Sequence, residues 1–251
     1  MGSAELRVIG IEGIPEIKEG DDLASLIAQA LGNTDVAVQS QDLFVVAQKV
    51  VSKAEGRVVR LDSVTPSPLA REWAAAYDKD ARVVEVVLGE SKRIVRMDRG
   101  VLISETRHGF VCANAGVDTS NVAGGFVTLL PVDPDESARL ILNGLEKEFK
   151  ANLGVIVSDT FGRPWREGLV NVAIGVAGFK PIADLRGAAD MYGQPLRVTT
   201  IAIADEVASA AELVMAKEQG LPVALVRGLR FEVVESSSRD LIRSPEMDLF
   251  R

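Results

Sequence analysis

The sequence predicts an α+β fold of mixed, largely antiparallel sheets with flanking helices, and neither a P-loop nor a Rossmann arrangement. Three observations carry that expectation. Eight short Val/Ile-rich runs are each bounded by turn residues, the signature of strands. Helical patterns are fewer, and several strands follow one another directly, which breaks regular βαβ alternation. Neither G-x-x-x-x-G-K-[ST] nor G-x-G-x-x-G occurs anywhere in the chain.

In chain order, the expected strands are "LRVIGI", "DLFVVAQKVV", "ARVVEVVL", "GVLISET", "FVTLLP", "LGVIVSD", "LRVTTIAIA" and "PVALVRG". Three helices interrupt them. "DDLASLIAQALGN" has apolar residues at helical spacing, acids at its start and Gly32 as a stop. "DPDESARLILNGLEKEFKANLG" opens on Asp133 and Pro134, an N-cap and first-turn pair, and closes at Lys150 and Gly154. "ADEVASAAELVMAKEQGLP" runs from an acidic cap to Gly220 and Pro222. Turn residues from Thr65 to Leu69 mark the best internal break. Residues 6–230 are expected to form one catalytic unit, with a division into two subdomains as the alternative, and 231–251 a C-terminal surface extension.

Composition removes whole classes of function. A length of 251 residues supplies a sizeable core. A net charge of −8 opposes general binding to nucleic acid or to anionic membranes. No apolar run is long enough to span a bilayer, and the first ten residues lack the regions of a signal peptide, so a cytoplasmic location is expected. With Cys112 the single cysteine and His108 the single histidine, intrachain disulfides and Cys/His zinc clusters are excluded. Any metal must be held mainly by oxygen, which points to magnesium or manganese.

Four constellations could carry chemistry. "GVDTSN" places Asp118, Thr119, Ser120 and Asn121 after an apolar run. It reads either as an Asx turn or as a carboxylate ligand with adjacent donors. "AQKVVSK" offers Gln48, Lys49 and Lys53, the two lysines sharing a face whether the segment is helical or extended. They are either a solvated face or a pair of cations following a core strand. In "EGIPEIKEGDDL", Asp21 and Asp22 read as helix capping and residues 14–17 as ligand-facing backbone. "VIVSDTFGRPWREG" leaves a buried run at Asp159 and Thr160. Arg163 and Arg166 then follow, able to make forked contacts to phosphate or carboxylate, with Trp165 between them.

The stretches "GIPEIKEGDDLA", "VVSKAEGR", "GFVCANAGVDTSNV", "VIVSDTFGRPWREG" and "VALVRGL", in this order, resemble the coenzyme F-420-0:γ-glutamyl ligase family. The resemblance covers residues 6–229. It implies a GTP-dependent ligase that adds L-glutamate, successively in γ-linkage, to the lactyl-phosphate side chain of the deazaflavin F-420-0 through an acyl phosphate. It further implies that Ile14, Pro15, Glu16, Ile17, Gln48, Lys49, Lys53, Asn121 and the segment Met215, Ala216, Lys217, Glu218, Gln219, Gly220, Leu221 bind GTP. Asp118 and Asp159 would hold one Mg2+ or Mn2+ ion and serve catalysis, and Thr160 would hold a second. Potassium is a further candidate cation. Lys217 stands where relatives place an acidic or amide ligand, so Glu218 or water would replace it. The family also implies a homodimer. Outside the resemblance, Arg163 and Arg166 are assigned to substrate anions on physical grounds. Two rival readings stand beside the ligase: a magnesium-dependent phosphohydrolase built on Asp118 and Asp159, and a non-catalytic binder of a phosphorylated deazaflavin or nucleotide.

Overall fold

The computed structural model describes residues 5–120, 124–215 and 220–248. Twelve strands are present: β1 (Arg7–Gly10), β2 (Leu43–Ala47), β3 (Val58–Arg60), β4 (Ser91–Asp98), β5 (Val101–Thr106), β6 (Val111–Ala113), β7 (Phe126–Thr128), β8 (Gly154–Arg163), β9 (Arg166–Ala177), β10 (Ala183–Asp184), β11 (Thr200–Ile201) and β12 (Val223–Arg227). Six helices accompany them: α1 (Leu23–Gly32), α2 (Gln48–Ala54), α3 (Pro68–Tyr77), α4 (Ala81–Glu90), α5 (Pro134–Phe149) and α6 (Ile203–Met215). The α+β expectation holds, with mixed and mostly antiparallel pairing.

The principal sheet has the order β1-β12-β2-β8-β9, and within it only β2 and β8 run parallel. Its central strands are apolar on both faces because both faces are covered. Phe44 and Val46 on β2, with Val155 and Val157 on β8, pack into one core with α1 and α5. The alternating residues Leu43, Val45 and Ile156 pack into a second core with Ala204, Ala208 and Ala211 of α6. Each such fully buried side chain contributes about 1.5–3 kcal/mol. A third, smaller core joins Val84 and Val87 of α4 to Ala70, Leu102 and Val127.

The capping grammar is realised. The Asp22 carboxylate accepts from the Ser25 backbone N–H (3.2 Å), and Asp133 accepts from that of Glu136 (3.1 Å). Asp21 accepts from the Lys18 N–H, so both acids at 21–22 serve structure.

Several local expectations are corrected. "ARVVEVVL" is helix α4, capped by Asp80, because Val84 and Val87 sit at helical spacing over the third core. The "DLFVVAQKVV" strand ends at Ala47, and α2 begins at Gln48. In "LRVTTIAIA" only Thr200–Ile201 pairs, and α6 starts at Ile203. β4 and β9 were not anticipated, nor was α3, which starts within the stretch expected to be a break.

β8 also does not stop at Asp159. Its buried part ends there, but the strand continues as a hairpin to Arg163, turning through Pro164 and Trp165 into β9. Between Val157 and Ser158 the register slips by one residue, a bulge that re-aims the side chains after it. The Asp205 carboxylate accepts from the Ala173 N–H (2.9 Å) beside the bulge. Gly175 follows: a β-carbon there would fall on the Pro134 carbonyl at the start of α5.

Candidate functional site

Because β2 and β8 are parallel neighbours, with Ala47 opposite Ser158, both chains leave the core at the same sheet end. A cavity of about 470 Å³ opens there. Residues 14–17 form one wall and α2 another, while Val117 and Asp118, the Ser158–Thr160 stretch of β8, and the end of α6 complete it. The resemblance-derived residues Ile14, Pro15, Glu16, Ile17, Gln48, Lys49, Lys53, Asp118, Asp159, Thr160, Met215, Gly220 and Leu221 all line this cavity. Asn121, Ala216, Lys217, Glu218 and Gln219 lie outside the described residues.

The α2 helix aims its two lysines into the site. Lys49 Nζ contacts Asp118 Oδ2 (2.9 Å) and donates to the Ser120 carbonyl and hydroxyl (both 2.8 Å). Lys53 Nζ lies 3.9 Å from Glu16. Gln48 is almost wholly buried. Its amide nitrogen donates to Ser52 Oγ (2.6 Å) and to the Leu129 carbonyl (2.8 Å), so only its amide oxygen is left for a ligand.

The Asx-turn reading of "GVDTSN" holds at Asp118. It forms the Asx turn, accepting from Ser120 N–H (2.7 Å), and is pinned by backbone pairing with Thr128. Yet its carboxylate also borders the cavity. Burial alone would raise its pKa; the Ser120 N–H, Lys49 and the Ser120 hydroxyl outweigh burial and hold it below the usual aspartate range. Across the cavity, Asp159 accepts from the Thr160 N–H (2.8 Å). Burial first, and the Asp159 charge second, push the nearby Cys112 thiol up to about 12. That thiol is inert as a nucleophile at neutral pH.

Two residues at the site escaped sequence reading. Asn171, on β9 opposite Thr160, accepts from Thr160 Oγ1 (2.8 Å) and donates to Glu212 Oε2 (2.7 Å) on α6. Both Asn171 and Glu212 line the cavity. The signal for Glu212 was faint: beyond the first-turn acids Asp205 and Glu206, it is one half-buried acid in the apolar second half of α6. Ser158 is also present, buried, with no partner for its hydroxyl among the described residues.

Arg163 and Arg166 do not join the cavity. They flank the hairpin turn, where Arg163 donates to the Glu167 carbonyl (2.7 Å) and Arg166 is exposed. Trp165 in the turn is 80% exposed with φ of 58°.

The donor set suits a hard divalent cation: carboxylates, hydroxyls and an amide, with no soft ligand. Among the described residues no three His, Cys, Asp or Glu side chains converge closely enough to cage an ion. Such a sparse set fits magnesium or manganese, which complete their shells with substrate phosphates and water.

Comparison with known proteins matches the sequence to a family. The sequence model of the family described as F420-0:Gamma-glutamyl ligase matches residues 11–228. The chain is 47% identical to the coenzyme F420:L-glutamate ligase of Methanothermobacter thermautotrophicus, covering 98% of this chain and 99% of that one. It is 45% identical to the enzyme of the same name from Methanopyrus kandleri, over 98% and 99% of the two chains. The corresponding Methanocaldococcus jannaschii ligase is 43% identical, over 98% and 97%. A match over this span, with the cavity residues inside it, means that the chain belongs to the F420-0:Gamma-glutamyl ligase family.

Proposed function

We propose that the protein is a GTP-dependent ligase that joins L-glutamate to F-420-0, extending the chain through γ-linked residues, in coenzyme F-420 biosynthesis. The observation that carries this reading is the apposition, in one cavity, of two lysines on α2 with Asp118, Asp159 and Thr160. Ammonium groups hold phosphate oxygens, and hard oxygen donors hold the cations that accompany phosphate.

Lys49 and Lys53 orient the triphosphate, and the backbone of residues 14–17 shapes its wall. Asp118, Asp159, Thr160 and Glu218 are the proposed holders of two Mg2+ or Mn2+ ions, with potassium as a further cation. When bound, those cations neutralise charge developing on the transferred phosphoryl group. A carboxylate oxygen of F-420-0 attacks the γ-phosphorus, GDP leaves, and an acyl phosphate forms. The glutamate amine then attacks the acyl carbon, phosphate leaves, and the amide bond closes. Lys49, whose ammonium lies 2.9 Å from Asp118, is the residue proposed to receive the incoming phosphate in the first step.

Arg163 and Arg166, on the hairpin that also carries the cavity-lining Leu169, are proposed to meet anionic groups of a substrate longer than the cavity. A homodimeric cytoplasmic protein is part of the proposal. The exposed Met191, Tyr192 and Val198 on the segment carrying β10 and β11 support self-association. No helix among the described residues is long and apolar enough to cross a membrane.

The test is direct. F-420-0, L-glutamate, GTP and Mg2+ are incubated with the protein, and coenzyme mass and phosphate are measured together. A gain of one glutamyl residue per phosphate released is expected. Phosphate release without mass gain would favour the hydrolase, and binding without either product the non-catalytic binder.

A further inference from the structure

The hydrogen-bond chain from α6 to β8 does more than brace the cavity. An ionised Glu212 can only accept, so the Asn171 amide must turn its nitrogen toward it. That fixes the Asn171 oxygen toward Thr160, which can pair with it only by donating its single hydroxyl hydrogen (2.8 Å). The amide cannot reverse without setting its oxygen against the carboxylate. Asn171 is itself 4% exposed, and its backbone carbonyl accepts from Ser209 Oγ (2.8 Å), so the residue is held in place.

We propose that Glu212 and Asn171 are positioning residues whose charge and amide orientation keep the Thr160 hydroxyl hydrogen on Asn171, leaving the oxygen lone pairs to the cavity for a divalent cation. This rests on the metal-and-nucleotide reading above. The neighbouring orphan hydroxyl of Ser158, 1% exposed and bordering the same cavity, independently marks this side as built to receive an oxygen-seeking ligand. Replacing Glu212 by glutamine supplies a donor, frees the Asn171 amide to reverse, and lets the Thr160 hydrogen swing into the cavity, where it repels a cation.

The experiment measures Mn2+ binding by electron paramagnetic resonance and titration calorimetry in the full chain with a non-hydrolysable GTP analogue. Two Mn2+ ions are expected in the wild type. Glu212→Gln and Thr160→Val should each weaken one of them about 10–100-fold, the usual effect of losing an outer-shell partner or its ligand. Because both act through one oxygen, the double variant should bind no more weakly than the worse single one. Glu212→Gln is isosteric at a half-buried site, so its folding is checked simply by an unchanged melting temperature. Wild-type binding in Glu212→Gln, multiplying effects in the double variant, or a single ion in the wild type would each overturn the relay. Absence of any Mn2+ binding by the wild type would instead overturn the cation-dependent reading beneath it.

Discussion

Asp118 is a residue on which burial and hydrogen bonding pull in opposite directions. Burial favours its neutral form, while Ser120 and Lys49 favour the charged one and prevail. Its lowered pKa means that its contribution to stability is complete above the ordinary aspartate range. It is lost as pH falls through the depressed value. Asp118→Asn should therefore cost about 1 kcal/mol at pH 7, and the gap from wild type should close in acid. Chemical denaturation at several pH values measures this. If Asp159 holds a cation as proposed, Asp159→Asn should leave the far-ultraviolet circular dichroism unchanged yet cut glutamate addition by at least about 10²-fold, the loss of several kcal/mol of charge stabilisation. Near-normal turnover in the mass assay would remove Asp159 from the chemistry.

Among elements, the β8–β9 hairpin sets the geometry of the site. Its bulge lets Ser158, Asp159 and Thr160 address the cavity after an unbroken run of core residues. Gly175 lets the start of α5 lie against β9 just beyond that bulge. Gly175→Ala should lower stability by about 1–3 kcal/mol, as overpacking does, and thermal melts of the two proteins would show it.

How far these elements were legible varies for physical reasons. The apolar cores of β2, β8 and β12 were plain because both faces are buried. "ARVVEVVL" misled because β-branched residues suggest a strand, whereas the Asp80 cap and the Val84–Val87 spacing favour a helix. The lysine pair was readable because helix and strand alike put Lys49 and Lys53 on one face. The Asn171–Glu212 link was not, since it joins β9 to α6 through no local motif.

For the whole molecule, one carboxylate gathers three donors from separate parts of the chain. Asp135, in the first turn of α5, accepts from Val176 N–H (2.8 Å), Ser237 Oγ (2.6 Å) and Ser238 N–H (2.8 Å). It ties the chain after residue 231 to both α5 and β9, and Phe231 packs on the fully buried Phe179. Asp135→Ala leaves buried donors unsatisfied and should cost about 1–3 kcal/mol or more. Limited proteolysis should then cut near residues 232–238 well before the wild type is cleaved there.

The parallel seam between β2 and β8 has a consequence for how the protein reaches activity. Leu43 pairs with Gly154, so the lysine half and the acid half of the cavity come from regions distant along the chain. Neither half exists as a binding surface until that long-range closure is made, and contacts of this kind are slow to form. A ligand of this cavity can therefore be captured only by molecules that have finished folding. Each capture draws the folding equilibrium toward completion by mass action, so whatever fills the cavity also acts as a check on chain maturation.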